Sequence, residues 1–88
     1  MAGVDTTIRY FSWVRERVGK GEEQVVLPDT IVTVMDLLMW LKQRDEGFGA
    51  ALEFPEIIRV ALDQEHVDHT ENVGTPREIA IFPPMTGG

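Results

Sequence analysis

One amphipathic helix limits what this chain can become. From Thr33 to about Asp45, Val34, Leu37, Leu38 and Leu41 fall at i, i+3, i+4 and i+7, the spacing of a single buried helical face. Thr33 is a good N-cap, and Asp36 stands three residues on, where a carboxylate favours the positive end of the helix. Val32 and Leu37 occupy the two positions of a hydrophobic staple, Lys42 and Arg44 suit the negative end, and Gly47 is placed to close the helix. Met35, Met39 and Trp40 widen the stripe and read as core and flank rather than as a binding box. A helix with one apolar face needs a partner layer, and the rest of the chain offers short β-rich segments. The expectation is an α+β domain, one sheet with the long helix packed across it.

The strands follow from alternation and punctuation. Thr6 to Phe11 reads as a first strand, with Ile8 and Tyr10 on one face and Thr7 and Arg9 on the other. Ser12 is placed to cap a short helix, Trp13 to Val18, which Gly19-Lys20-Gly21 ends. Glu23 to Leu27 forms a second strand, stopped by Pro28-Asp29. Phe48 to Phe54 is a connection or short helical turn. Ile57 to Leu62 is the next strand, with a turn at Asp63-Gln64-Glu65 and a short return at His66-Val67-Asp68. Thr70 to Pro76 is loop, and Glu78 to Phe82 is the last strand.

Composition removes several classes of function. The 88 residues fit one domain, and 43% hydrophobic with 26% charged content is ordinary for a folded protein. A formal charge of −7 repels phosphate backbones and anionic lipid, so neither nucleic acid nor membrane is an expected partner. No cysteine is present, which leaves no disulfide, no thiolate metal site and no thiol nucleophile, and fits a cytoplasmic setting. The longest central apolar run, Leu37 to Leu41, is far too short to span a bilayer, and no secretory leader is evident. His66 and His69 lack the further ligands a metal site needs, so a solvated polar turn is the better reading. Asp45-Glu46 reads as solvated surface.

The end of the chain is the candidate site. Pro83 and Pro84 cannot donate ladder hydrogen bonds, so the sheet stops near Phe82. Met85-Thr86-Gly87-Gly88 offers too little apolar area to bury itself, and at roughly 3.3 Å per residue 83–88 reaches about 20 Å. The expectation is a single domain over 1–88 whose segment 83–88 projects and ends on the Gly88 carboxylate. Gly87 and Gly88 have no Cβ to obstruct entry into a narrow channel.

Tyr10-Phe11-Ser12-Trp13-Val14-Arg15-Glu16-Arg17-Val18-Gly19 and Ala80-Ile81-Phe82-Pro83-Pro84-Met85-Thr86-Gly87-Gly88 resemble the small, sulfur-carrier subunit of molybdopterin synthase, the MoaD type of the MoaD/ThiS ubiquitin-like family. Asp63 stands where that family often has asparagine, Pro76-Arg77 where it often has Gly-Asp, and Ile81 where an aromatic is common. The resemblance implies a ubiquitin-like β-grasp with a mixed sheet. It implies that an ATP-dependent activating enzyme adenylates the carboxylate of Gly88 and that a sulfur donor converts the adduct to a thiocarboxylate. The large synthase subunit then receives the tail, through Phe82, Pro83, Pro84, Met85, Thr86 and Gly87, and sulfur passes to cyclic pyranopterin monophosphate in molybdenum cofactor synthesis. On this reading the chain is no enzyme alone, binds no cofactor or metal itself, and joins two small with two large subunits. Three alternatives stay open: a sulfur carrier for thiamine, cysteine or tRNA thiolation, a ubiquitin-like modifier that joins Gly88 to a lysine, and a non-covalent β-grasp adaptor.

Overall fold

The computed structural model describes residues 4–84. Five strands form one sheet in the order β2-β1-β5-β3-β4: β1 (Val4–Tyr10), β2 (Glu22–Leu27), β3 (Arg59–Leu62), β4 (Glu65–Val67) and β5 (Glu78–Phe82). β1 and β5 run parallel at the centre and every other pair is antiparallel, so the sheet is mixed as expected. The helix between β1 and β2 therefore joins antiparallel strands and is not a parallel crossover. Helices α1 (Ser12–Val18), α2 (Val34–Lys42) and α3 (Glu46–Ala51) complete the fold, with a single 3-10 turn at Pro55–Ile57.

The core is the meeting of two periodicities. Ile8 and Tyr10 of β1, Val60 of β3 and Ile79 and Ile81 of β5 alternate onto the inner sheet face, where Val34, Leu37, Leu38 and Leu41 of α2 join them in one buried cluster. Each such side chain removed from water stabilises the fold by about 1.5–3 kcal/mol, an upper figure because unfolded chains are partly compact. Trp40 and Met35 are half-buried flanks and Met39 is exposed.

The helix α2 is capped as the sequence implies. Thr33 Oγ1 accepts from Asp36 N at 3.1 Å, and Asp36 Oδ2 accepts from Thr33 N at 3.0 Å, a reciprocal box. The backbone amides of Thr33 and Val32 hold the Asp36 carboxyl below the usual carboxylate range. The loop before β5 supplies the remaining acceptors: Val34 N donates to Glu71 O and Met35 N to His69 O. The staple does not form, since Val32 is 54% exposed while Leu37 is fully buried.

Four local expectations are corrected. The long helix stops at Lys42, where Gln43 is its C-cap and donates to Trp40 O and Leu41 O. Asp45 then caps α3, its Oδ1 accepting from Phe48 N at 3.0 Å, and is not idle surface. Gly47 does not close α2. It sits in the first turn of α3, where an added Cβ would lie 2.7 Å from Arg17 O, so it permits α3 to approach α1. Ser12, expected as a cap, falls inside α1 with φ 53°, and Phe11 takes the cap position without a side-chain bond. Gly19 ends α1 as expected, left-handed with φ 93°, its amide donating to Arg15 O.

The β3–β4 turn is tighter than the sequence implies. Asp63 and Gln64 both have positive φ, 49° and 73°, the backbone of a two-residue type I′ turn that matches strand twist. Asp63 Oδ1 accepts from Arg77 N at 2.9 Å and Glu78 N at 3.0 Å, and Asp63 N donates to Glu78 O at 2.8 Å. An aspartate thus ties the turn to the start of β5.

A polar cluster escaped the sequence reading. Glu23 of β2 accepts from Tyr10 Oη at 2.5 Å and from Arg44 Nη1 at 2.7 Å, with Lys20 Nζ at 3.4 Å. Tyr10 also meets Phe48 edge to face at 5.7 Å. Burial, then the Glu23 hydrogen bond and charge, push the Tyr10 phenol far above its ordinary value. For Glu23, burial works upward, but the hydrogen bonds from Arg44 and Tyr10 and the charges of Arg44 and Lys20 outweigh it and hold the carboxyl below its ordinary value.

Two outcomes are expected. A carboxyl depressed in the folded state contributes stability above its unfolded pKa of about 4.3 and loses it as pH falls through the folded value. Urea titrations of Glu23→Gln should therefore show a smaller loss of stability between about pH 5 and pH 2 than the parent, and equal losses would contradict the cluster's role. Gly47→Ala gains up to about 1 kcal/mol in helix propensity but meets a backbone carbonyl, a clash of about 1–3 kcal/mol, so its melting temperature should fall.

Candidate functional site

The site is built at the end of β5. This strand lies between β1 and β3, so both of its edges are hydrogen-bonded and its direction is fixed. Ile79 and Ile81 are 0% exposed and lock its inner face. The last rungs pair Tyr10 with Ile81 and Arg59 with Phe82, and Phe11 N donates to Ile81 O at 3.1 Å. Pro83 and Pro84 follow outside the ladder, half-buried. Chain direction at this point is thus set by a central strand and continued by two fixed φ angles.

Phe82 is half-buried on the outer sheet face, opposite the helices, by the alternation that puts Ile81 inside. Its ring is met edge to face by Phe11 at 6.5 Å and by His66 at 5.2 Å. Phe11 is 41% exposed and His66 is exposed, so the three rings form a patch open to solvent at the tail root. Arg9 lies 5.9 Å from the Phe11 ring and is held by Glu78 at 3.2 Å and Glu22 at 3.7 Å. Arg59 stands beside Phe82 in register on the same face.

Of the seven residues expected at the site, Phe82, Pro83 and Pro84 are brought together here. Met85, Thr86, Gly87 and Gly88 lie outside the described residues. The structure adds Phe11 and His66, which sequence reading had placed in a strand end and a polar turn. Side-chain parity was the available signal, because Phe11 shares a face with Arg9 and Phe82 with Ala80. It becomes a site only when β1 and β5 are known to be parallel neighbours. The two histidines are separated in role: His66 faces Phe82, while His69 Nε2 lies 2.7 Å from Ile58 O. Among the described residues no group of three or more His, Asp or Glu is arranged to hold a metal ion. No helix of the described residues is long and apolar enough to cross a membrane.

A sheet that ends on an aromatic anchor and two prolines can present a chain end to a partner. The model of the ThiS family matches residues 8–88. The chain belongs to the ThiS family, the MoaD/ThiS sulfur carriers. A curated relative, the molybdopterin synthase sulfur carrier subunit of Haemophilus influenzae, is 31% identical over 81 residues, covering 92% of this chain and 96% of the relative. Among solved structures, molybdopterin converting factor subunit 1 of Pyrococcus furiosus superposes with TM-score 0.68 at 24% identity, covering 93% of this chain and 99% of that one. Small archaeal modifier protein 1 of Haloferax volcanii gives TM-score 0.69 at 26% identity, covering 94% and 100%. The ubiquitin-like β-grasp expected for this ThiS-family chain is the fold these neighbours share.

Ring contacts of this kind contribute about 0.5–1.5 kcal/mol each beyond area burial. A double-mutant cycle of Phe82→Ala and His66→Ala, read by urea unfolding, should give a coupling energy in that range. Additive losses would mean that the two rings do not support one another.

Proposed function

We propose that this chain is the sulfur carrier subunit of a molybdopterin synthase and that Gly88 carries the sulfur. The single observation that supports the pathway is the 31% identity, over nearly the full length of both chains, to a subunit of that name. The terminal Phe82-Pro83-Pro84-Met85-Thr86-Gly87-Gly88 fits the chemistry. A carboxylate is a poor electrophile until it carries a good leaving group. An ATP-dependent activating enzyme provides one by adenylating Gly88, and a sulfur donor displaces the adenylate to leave a thiocarboxylate. The large subunit then takes the tail, and sulfur passes to cyclic pyranopterin monophosphate. Two rounds supply the two sulfurs of the dithiolene.

This chain's part is positioning. β5 and the ring patch fix the tail root, Pro83-Pro84 lower the entropy lost on threading, and Met85-Thr86 give contacts along the channel. Gly87-Gly88 pass where a Cβ would not. Catalytic side chains belong to the partners, and the chain itself binds neither ATP nor a metal.

A second reading, a ubiquitin-like modifier joined through Gly88 to lysine, draws on the 26% identity to small archaeal modifier protein 1. One experiment separates the two. The purified chain is incubated with an activating enzyme, ATP and a sulfur donor, and its intact mass is taken. Replacement of one oxygen by sulfur, followed by transfer to the pyranopterin when the large subunit is added, is the expected result. Protein adducts lost on deleting Gly88, with no thiocarboxylate transfer, would favour the modifier. Residues appended after Gly88 should abolish transfer while leaving the melting temperature unchanged.

A further inference from the structure

We propose that Arg59 is a docking contact, pairing at the tail root with a carboxylate at the mouth of the large subunit's channel. The inference rests on the carrier reading above. Arg59 opens β3 and is the register partner of Phe82, the last rung before Pro83. Antiparallel partners share a face, so its side chain stands on the outer side beside the ring patch. It is exposed, and among the described residues it makes no ion pair, hydrogen bond or ring contact, whereas Arg9 and Arg44 are held by carboxylates and Arg17 lies over Trp13. Glu56, Asp68 and His69 line a small hollow with it, of about 170 Å³, yet neither carboxylate comes within ion-pair distance. Among the described residues Arg15 and Arg77 likewise have no side-chain ion pair, and what sets Arg59 apart is its register beside Phe82 at the root of the site.

Geometry selects the occupant. Segment 83–88 reaches about 20 Å when extended, so Gly88 enters the partner's centre while Arg59 stays at the rim. The adenylate and the pterin therefore lie beyond its reach, and the group it meets is a side chain on the partner's surface. A planar fork of donors matches a carboxylate with two parallel hydrogen bonds, and exclusion of water by the neighbouring rings strengthens the pair.

The test is binding of the full chain to the large subunit of the same organism, by calorimetry at two salt concentrations, with melting temperatures in parallel. Arg59→Gln should weaken binding by about tenfold or more and Arg59→Glu further, both with the parent's melting temperature. Arg59→Lys should recover part of the loss, and the parent should lose more affinity to added salt than Arg59→Gln. Affinities of Arg59→Gln and Arg59→Glu within twofold of the parent would overturn the contact, as would a loss confined to the activating enzyme. A parent that fails to bind the large subunit at all would instead sink the carrier reading.

Discussion

The parallel pairing of the first and last strands is the constraint on which the structure depends. β1 and β5 share the register Thr7–Glu78 to Tyr10–Ile81, so the first and last strands lie side by side at the centre of the sheet. Parallel neighbours cannot be joined by a tight turn, and everything between them must leave and return. The intervening chain uses that detour to build the layer that buries Ile8, Tyr10, Ile79 and Ile81. A central β5 also carries its C-terminus out at one fixed point. A tail leaving an edge strand would be held on one side only.

Buried polar chemistry is kept at the margins of this core. Glu23, Tyr10 and Arg44 tie β2, β1 and the end of α2 together, and the charge is met by hydrogen bonds rather than left in apolar surroundings. Asp63 does comparable service at the other end of the sheet, where the amides of Arg77 and Glu78 at the start of β5 find one carboxylate oxygen. It stands where the family often has asparagine, and either side chain offers the acceptor this turn uses. The first cluster holds Tyr10, the register partner of Ile81 beside the tail root, and the second holds the opposite end of β5.

Much of the fold was legible because period decides face. The stripe Val34, Leu37, Leu38, Leu41 and the alternation of Ile79 and Ile81 each gave the buried side correctly, and Thr33 with Asp36 marked the start of α2. Where α2 stops was not legible. Gln43 to Glu46 has neither glycine nor proline, and the break is set by Gln43 leaving the helical path and Asp45 capping α3. Gly47 looked like a terminator because glycine commonly is one, while its actual constraint is the approach of Arg17 from α1, a contact between segments thirty residues apart in sequence.

At the site the division is sharper. The sequence by itself determined that a strand must end near Phe82 and that Pro83-Pro84 leave the ladder, since these follow from φ restriction and missing donors at named positions. Only the tertiary structure decided what surrounds the tail root. Phe11 just past β1, Arg59 of β3 and His66 of β4 come together at Phe82 through strand order and register, which no local pattern encodes. A one-residue slip of β3 against β5 would turn Arg59 to the core and dissolve the patch. Local chemistry wrote the tail, and the sheet's long-range pairing chose the surface from which it leaves.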